Sequence, residues 1–245
     1  IKMENMADDT TQLSLAEARF RKFTITSAAL VLIFIVPIWQ LLFFAVRSDL
    51  VSYILLIPFI SAYLVWLKKK TLPSGTEPAW LWAALLGLCG TAVMLTYWLT
   101  APALWQAEAN YLAANIFACL LFFGSVSCLF LGKQVVRAIM FPVGFLVFMV
   151  PFPVFLTDGI ETFLQHGSAT VAGWMFQLSG TPLFKDGLVF HLPGFNLKVA
   201  PECSGIHSSV VLFITSLLAG YLFLRNPWKR AALAFAVIPL ALLRN

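Results

Sequence analysis

The sequence predicts an all-α, polytopic integral membrane protein, and three observations carry that prediction. Of 245 residues, 60% are hydrophobic and only 11% are charged, where a soluble domain is about 45–50% apolar and about 25% charged. The mean hydropathy is +0.89. The apolar residues also gather into runs near the roughly 20 residues that cross about 30 Å of hydrocarbon. Too little polar surface remains to cover a water-soluble particle. A cytosolic enzyme, a disordered chain and a collagen are thereby excluded.

Residues 1–24 are polar and lack the apolar core of a signal peptide, so they read as a cytoplasmic N-terminal segment. From residue 25 to 245 the chain reads as one transmembrane domain. Five apolar runs come first: Ile25–Val46, Leu50–Leu67, Ala79–Leu99, Tyr111–Leu131 and Ala138–Leu156. A sixth covers Ser204–Leu224, and a seventh starts near Ala231 and is still apolar at Asn245. Those last 15 residues reach only about 22 Å as a helix, so this span is expected to be cut short. At least seven transmembrane helices are expected. Pro142, Pro151 and Pro153 cluster in one run, with no matching cluster elsewhere.

Basic residues set the orientation. With the N-terminus inside, 12 of the 16 Lys and Arg fall on the cytoplasmic side, among them Lys68–Lys70, Arg225, Lys229 and Arg230. The opposite side holds 4: Arg47, Lys185, Lys198 and Arg244. Basic loops resist translocation, and this split accounts for the net charge of +5 without any nucleic-acid partner. Four cysteines are too few for a disulfide framework in a chain of this length. Cys89, Cys119 and Cys128 lie in apolar runs and read as small buried hydrophobes.

Residues 157–202 form an outer elaboration too polar to span. Within it, 158–179 carries Ile160, Leu164, Val171, Trp174 and Met175 at near-helical spacing, the pattern of an amphipathic helix lying in the interface. Then Gly187–Leu192 and Phe195–Ala200 flank Pro193-Gly194, and alternation on both sides of a Pro-Gly turn predicts a short β-hairpin. His166 and His191 read as surface polar groups.

The chemically informative stretch is Pro201-Glu202-Cys203-Ser204-Gly205-Ile206-His207-Ser208-Ser209, at the outer start of the sixth span. Free N–H groups and the positive end of the helix dipole favour an anion there, and a thiol so placed has a lowered pKa. Ser204 or Cys203 is a candidate N-cap, and Gly205 leaves room for another chain. His207 falls one turn beyond Cys203, as a polar helix-end residue or a general base. Glu202 is either a cap or a group that repels a substrate carboxylate. The seventh span runs back outward to Arg244 and Asn245, bringing Arg244 to the depth of Cys203. An arginine at such a boundary is a snorkelling anchor or a functional group. Beside a thiolate nucleophile, a guanidinium would stabilise the oxyanion of a tetrahedral intermediate.

Pro201-Glu-Cys-Ser-Gly-Ile-His-Ser at the start of a helix, a basic turn, then Ile238-Pro-Leu-Ala-Leu-Leu-Arg244-Asn245 resembles the exosortase/archaeosortase family. The specific part of the resemblance is residues 201–209 and 238–245. It implies a multi-pass protein of the bacterial or archaeal cytoplasmic membrane, with its active site on the outer side. The implied activity is that of a cysteine protease/transpeptidase. Its implied substrates are exported proteins whose C-terminal sorting signal joins a short motif (Pro-Glu-Pro in the main bacterial type), a transmembrane helix and a basic tail. Cys203 would be the nucleophile and would form a thioester; Ser204, Gly205, His207 and Asn245 would support the site or contact substrate. No metal or organic cofactor is implied. Arg244-Asn245 matches the end of the archaeal Asn-x-x-Arg-Asn pattern, with Ala241 in place of the first asparagine. In the bacterial Asn-x-x-Arg pattern Asn245 would be that asparagine, and the arginine would follow the last residue. The family's third residue, a His or Arg, has no counterpart before Asn245, so a truncated C-terminus is expected. The alternative class is a membrane transporter or an export-assembly component of an exopolysaccharide system. It would show mid-membrane charges or broken helices in matched halves.

Overall fold

The structure is a computed structural model that describes residues 2–73, 77–104, 107–180, 184–192, 194–200 and 205–244. The chain divides into two compact units, Ile1–Phe152 and Pro153–Asn245.

The first unit is helical. α1 (Lys2–Ile33) runs without a break from the polar N-terminal segment into the first apolar run, because residues 2–33 contain no Pro or Gly. α2 (Ile35–Arg47) follows at a bend of 66°. Pro37 has no N–H for the Ile33 carbonyl four residues back, and that missing bond sits at the break. A 3₁₀ segment, Asp49–Leu56, leads into α3 (Ile57–Lys68). α4 (Trp80–Leu104) and α5 (Glu108–Phe130) form an antiparallel pair joined by Ser125 Oγ, which donates to the Ala83 carbonyl at 2.7 Å. Gly90 lies beneath the ring of Phe122, where a Cβ would come within 3.1 Å. Small residues let helices approach closely where lipid offers no hydrophobic drive to associate.

α5 is the centre of this unit. Half of its apolar window is buried, against 11% for Trp80–Thr100. Leu112 and Ile116 pack with Leu41, Ala45 and Ile54, and Cys119 packs with Leu30 and Phe34. Cys119 and Cys128 are buried as expected, but Cys89 lies on the exposed face of α4.

α6 (Gly132–Ala138) and α7 (Met140–Phe145) form a second pair bent by 66°. Pro142 again removes an N–H, freeing the Ala138 carbonyl. Lys68 Nζ donates to that carbonyl at 2.7 Å, and Ser61 Oγ donates to the Pro142 carbonyl at 2.6 Å. Away from water such groups need protein partners, and α3 supplies both. Pro142 therefore has a counterpart in Pro37 that the clustering of prolines concealed.

Among the described residues four segments are long and apolar enough to cross a membrane: Val51–Thr71, Trp80–Thr100, Glu108–Phe130 and Ile206–Phe223. The number rises to six if each bent pair is one span. The expected seventh is not among them. α10 (Pro227–Arg244) has 18 residues and carries Lys229 and Arg230 near its start and Arg244 at its end.

In the second unit the expected interfacial helix is part of a longer one, α8 (Val154–Leu178), of 25 residues. Its buried face is small and polar: Leu164, Gln165, Ser168, Ala169 and Gly173. Trp174 and Met175, from the apolar stripe expected to lie in the interface, are exposed along with Phe163 and Leu178. Bulky residues outward and small ones inward is the pattern of packing in apolar surroundings.

The expected hairpin is there, with a third strand. β1 (Phe184–Asp186), β2 (Val189–Leu192) and β3 (Phe195–Lys198) form an antiparallel sheet in chain order. Asp186 faces Val189 across the two-residue loop Gly187-Leu188, whose glycine takes φ +57°. Leu192 faces Phe195 in the second hairpin. Phe190, fully buried, plugs the sheet onto α8, its ring 5.7 Å from that of Phe176. The sheet leads to α9 (Ile206–Phe223), which hairpins into α10.

Candidate active site

α9 starts at Ile206, with Gly205 as its cap in the left-handed conformation, φ +62°. A side chain at this position would be strained, so the glycine has a conformational reason to be there. Its carbonyl accepts from Ser208 Oγ at 3.0 Å, Ser209 Oγ at 2.9 Å and the Ser209 N–H at 3.0 Å. The run Gly205-Ile-His-Ser-Ser thus forms a tightly bonded first turn. The cap expected at Ser204 or Cys203 falls one or two residues later, at Gly205. The one-turn relation drawn between Cys203 and His207 needed a helix beginning by Cys203, and α9 begins after it. His207 is exposed in the first turn of α9. Cys203, Ser204 and Asn245 lie outside the described residues.

The return helix is set by its own start. Asn226 Oδ1 accepts the Trp228 N–H at 3.0 Å, with Pro227 as the first helical residue, a side-chain cap followed by proline at N1. Arg230 Nε donates to the Leu224 carbonyl at 2.7 Å, and its guanidinium lies 5.3 Å from the Tyr221 ring centroid. At this crossing a Cβ on Gly220 would lie 3.5 Å from the Arg230 Cα, which fixes the register of the pair. Ile206 is fourteen residues before Gly220, and Arg244 is fourteen after Arg230. Equal rise along antiparallel helices predicts that the backbone of Arg244 falls near the level of Ile206, with Pro239 inside α10 between the crossing and Arg244.

α8 closes on both neighbours. Gln165 Nε2 donates to the Val199 carbonyl at 2.7 Å, and Leu242 of α10 packs over Gly167 so closely that a Cβ there would meet its Cδ2 at 2.6 Å. Beside this contact an open groove of about 610 Å³ runs along Thr162, Phe163, His166, Thr170, Val171 and Trp174. The exposed His166 places Nδ1 2.9 Å from the Thr162 carbonyl. His191 places Nδ1 2.8 Å from Asn196 Oδ1 and stacks on Phe184. Each histidine has a local partner, and neither is a bare surface group. Among the described residues no cluster of three His, Cys, Asp or Glu could hold a metal ion.

A model of the transmembrane exosortase family (Exosortase_EpsH) matches residues 45–245. The chain belongs to that family. The match spans most of the first unit and all of the second, including both stretches that carried the resemblance. No curated protein and no solved structure matches the chain. Membership supports a multi-pass membrane protein of a family of cysteine peptidases/transpeptidases that process exported proteins bearing C-terminal signals. Within this exosortase fold, sequence reasoning missed Gln165 and Gly167. The signal was faint: a glutamine next to apolar Leu164 and a glycine one turn from Leu164 and Val171, on a helix whose bulky residues are exposed.

Proposed function

We propose that the chain is a membrane-embedded cysteine protease/transpeptidase that cleaves the C-terminal sorting signal of exported proteins, with Cys203 as nucleophile and Arg244 as the charge-stabilising group. One observation carries the reading beyond family membership: the α9–α10 register, which levels the end of α10 with the first turn after the Cys203 segment. The site faces the outer side of the cytoplasmic membrane, and the basic α9–α10 turn faces inward.

The substrate's transmembrane helix docks laterally and presents the scissile amide beside Cys203. Sγ attacks the carbonyl carbon, and the arginine holds the oxyanion of the tetrahedral intermediate. The C–N bond breaks, the leaving amine takes the thiol proton, and a thioester remains. An amine or water then attacks the thioester and returns the proton to Sγ. Ser204, Gly205, His207 and Asn245 are assigned supporting or substrate-contacting roles. No metal, organic cofactor or nucleic acid enters the scheme.

A transporter or export-assembly role is the second reading, and the paired 66° breaks at Pro37 and Pro142 favour it. The full-length protein in its own host separates the two. Membranes of wild type and Cys203→Ala are compared by mass spectrometry for exported proteins that keep their C-terminal hydrophobic tails. Precursors that accumulate only in the variant support the protease and reveal its motif. A variant present at normal level with no precursor refutes it.

A further inference from the structure

Contacts from the two segments that flank the proposed centre converge on one turn of α8, at Gln165 and Gly167. Gln165 is buried, 8% exposed, and its amide holds the Val199 carbonyl at 2.7 Å. Val199 closes the sheet through its own N–H, which donates to the Leu188 carbonyl at 2.9 Å, and it precedes Cys203 by four residues. Two residues along α8, Gly167 seats Leu242, which precedes Arg244 by two. On the far side of Cys203, the Gly205 carbonyl accepts three donors. The stretch that contains Cys203 is thus tied at Val199 and at Gly205. The Val199 tie runs to the same turn of α8 that seats the end of α10.

We propose that Gln165 is a positioning residue: it holds Val199, where the chain leaves the sheet toward Cys203, on the same turn of α8 that seats Leu242 near the end of α10. This inference rests on the proposed function for its catalytic consequence, but not for its geometry. A buried amide with a carbonyl partner resists loosening, since an unmade bond leaves both groups unsatisfied. Misplacing a reacting group by about 1 Å costs about 100-fold in rate, so a tether this near a nucleophile acts on turnover more than on substrate binding.

The test uses the full-length protein in lipid nanodiscs, with a synthetic peptide carrying Pro-Glu-Pro, an apolar helix and a basic tail. Gln165→Leu keeps the bulk and removes the donor. The expected result is a kcat lower by about tenfold to 100-fold at unchanged KM, with a changed rate of Cys203 alkylation by a small maleimide. A variant at wild-type level with both kcat and alkylation unchanged overturns the proposal, as does a loss confined to KM. If Gln165→Leu does not accumulate, Gln165→Met, of similar length, replaces it. Failure of both to accumulate makes the amide a folding contact and overturns the positioning role. A wild type that cleaves nothing, while Gln165→Leu still alters alkylation, refutes the protease reading and supports the tether.

Discussion

Cross-linking tests the register of α9 against α10, on which the placement of Arg244 depends. In a background with Cys89, Cys119, Cys128 and Cys203 replaced, single cysteines are introduced at Ile206 or Phe213 of α9 and at Val237 or Arg244 of α10. Starting from the Gly220–Arg230 crossing, Phe213 and Val237 are each seven residues away, and Ile206 and Arg244 fourteen. Seven residues are close to two full turns, so each helix offers two positions on one face. Level pairs then sit near the interaxial distance of about 9 Å. Crossed pairs add an axial offset of about 10 Å at 1.5 Å per residue, for a separation of about 14 Å. A short bis-maleimide should join Ile206→Cys with Arg244→Cys, and Phe213→Cys with Val237→Cys. It should leave 206 with 237, and 213 with 244, largely unlinked. The assay is a shift in gel mobility after proteolytic cutting between the helices, in the Leu224–Asn226 turn. Equal linking of level and crossed pairs would refute the register and remove the reason to place Arg244 beside the motif.

Two further outcomes follow from bonded geometry. Lys68→Met leaves the Ala138 carbonyl unpaired and should cost about 1.5–3 kcal/mol in unfolding by SDS in mixed micelles; in a Pro142→Ala background, where residue 142 supplies the missing N–H, the same change should cost clearly less, and equal costs would show that Lys68 is not compensating for the proline. Gly205→Ala forces a side chain into the left-handed region at φ +62° and should cost about 1–2 kcal/mol, read as a lower unfolding midpoint, whereas Ser208→Ala, one of three donors to the same carbonyl, should cost less; a neutral Gly205→Ala would mean the cap relaxes freely.

How much of this fold was legible in the sequence depended on what each residue had to satisfy. Runs of apolar residues gave the positions of α4, α5 and α9 to within a few residues, because a helix in lipid satisfies its own backbone and needs only length and composition. Pro193-Gly194 located the second hairpin, but β1 lay hidden: Phe184–Asp186 is three residues long and exposed throughout, too short to show alternation. The extent of α1 is not marked by polarity, because residues 2–24 are polar yet contain no Pro or Gly to stop a helix. The apolar spacing of Ile160, Leu164, Val171, Trp174 and Met175 locates α8 but not its buried face, which Gln165, Ser168 and Gly173 line while Trp174 and Met175 are exposed. The Gly205-Ile206-His207 stretch was legible as a helix start, because polar residues there border an apolar run and Gly205 caps α9. The contact of Gln165 was not legible, because its partner is a backbone carbonyl 34 positions away, and no local spacing encodes it.

The sheet itself argues for that long-range tie. It has three strands of three or four residues, two of them exposed along their whole length. Such a sheet has one buried plug, Phe190, and little else to hold it in place. α8 supplies what it lacks: the Phe176 ring against Phe190, the Gln165 amide on Val199, and Lys185 reaching toward Thr170 at 3.5 Å. Gly173 belongs to the same surface, where a Cβ would sit 3.7 Å from Phe190, in ordinary contact. The sheet is therefore ordered by α8 and delivers its own C-terminal end, Val199, to the residues that precede Cys203. A helix hairpin alone would level the ends of α9 and α10 and leave the chain before Gly205 untethered. The α8–sheet assembly holds Val199 on the same helix that seats Leu242.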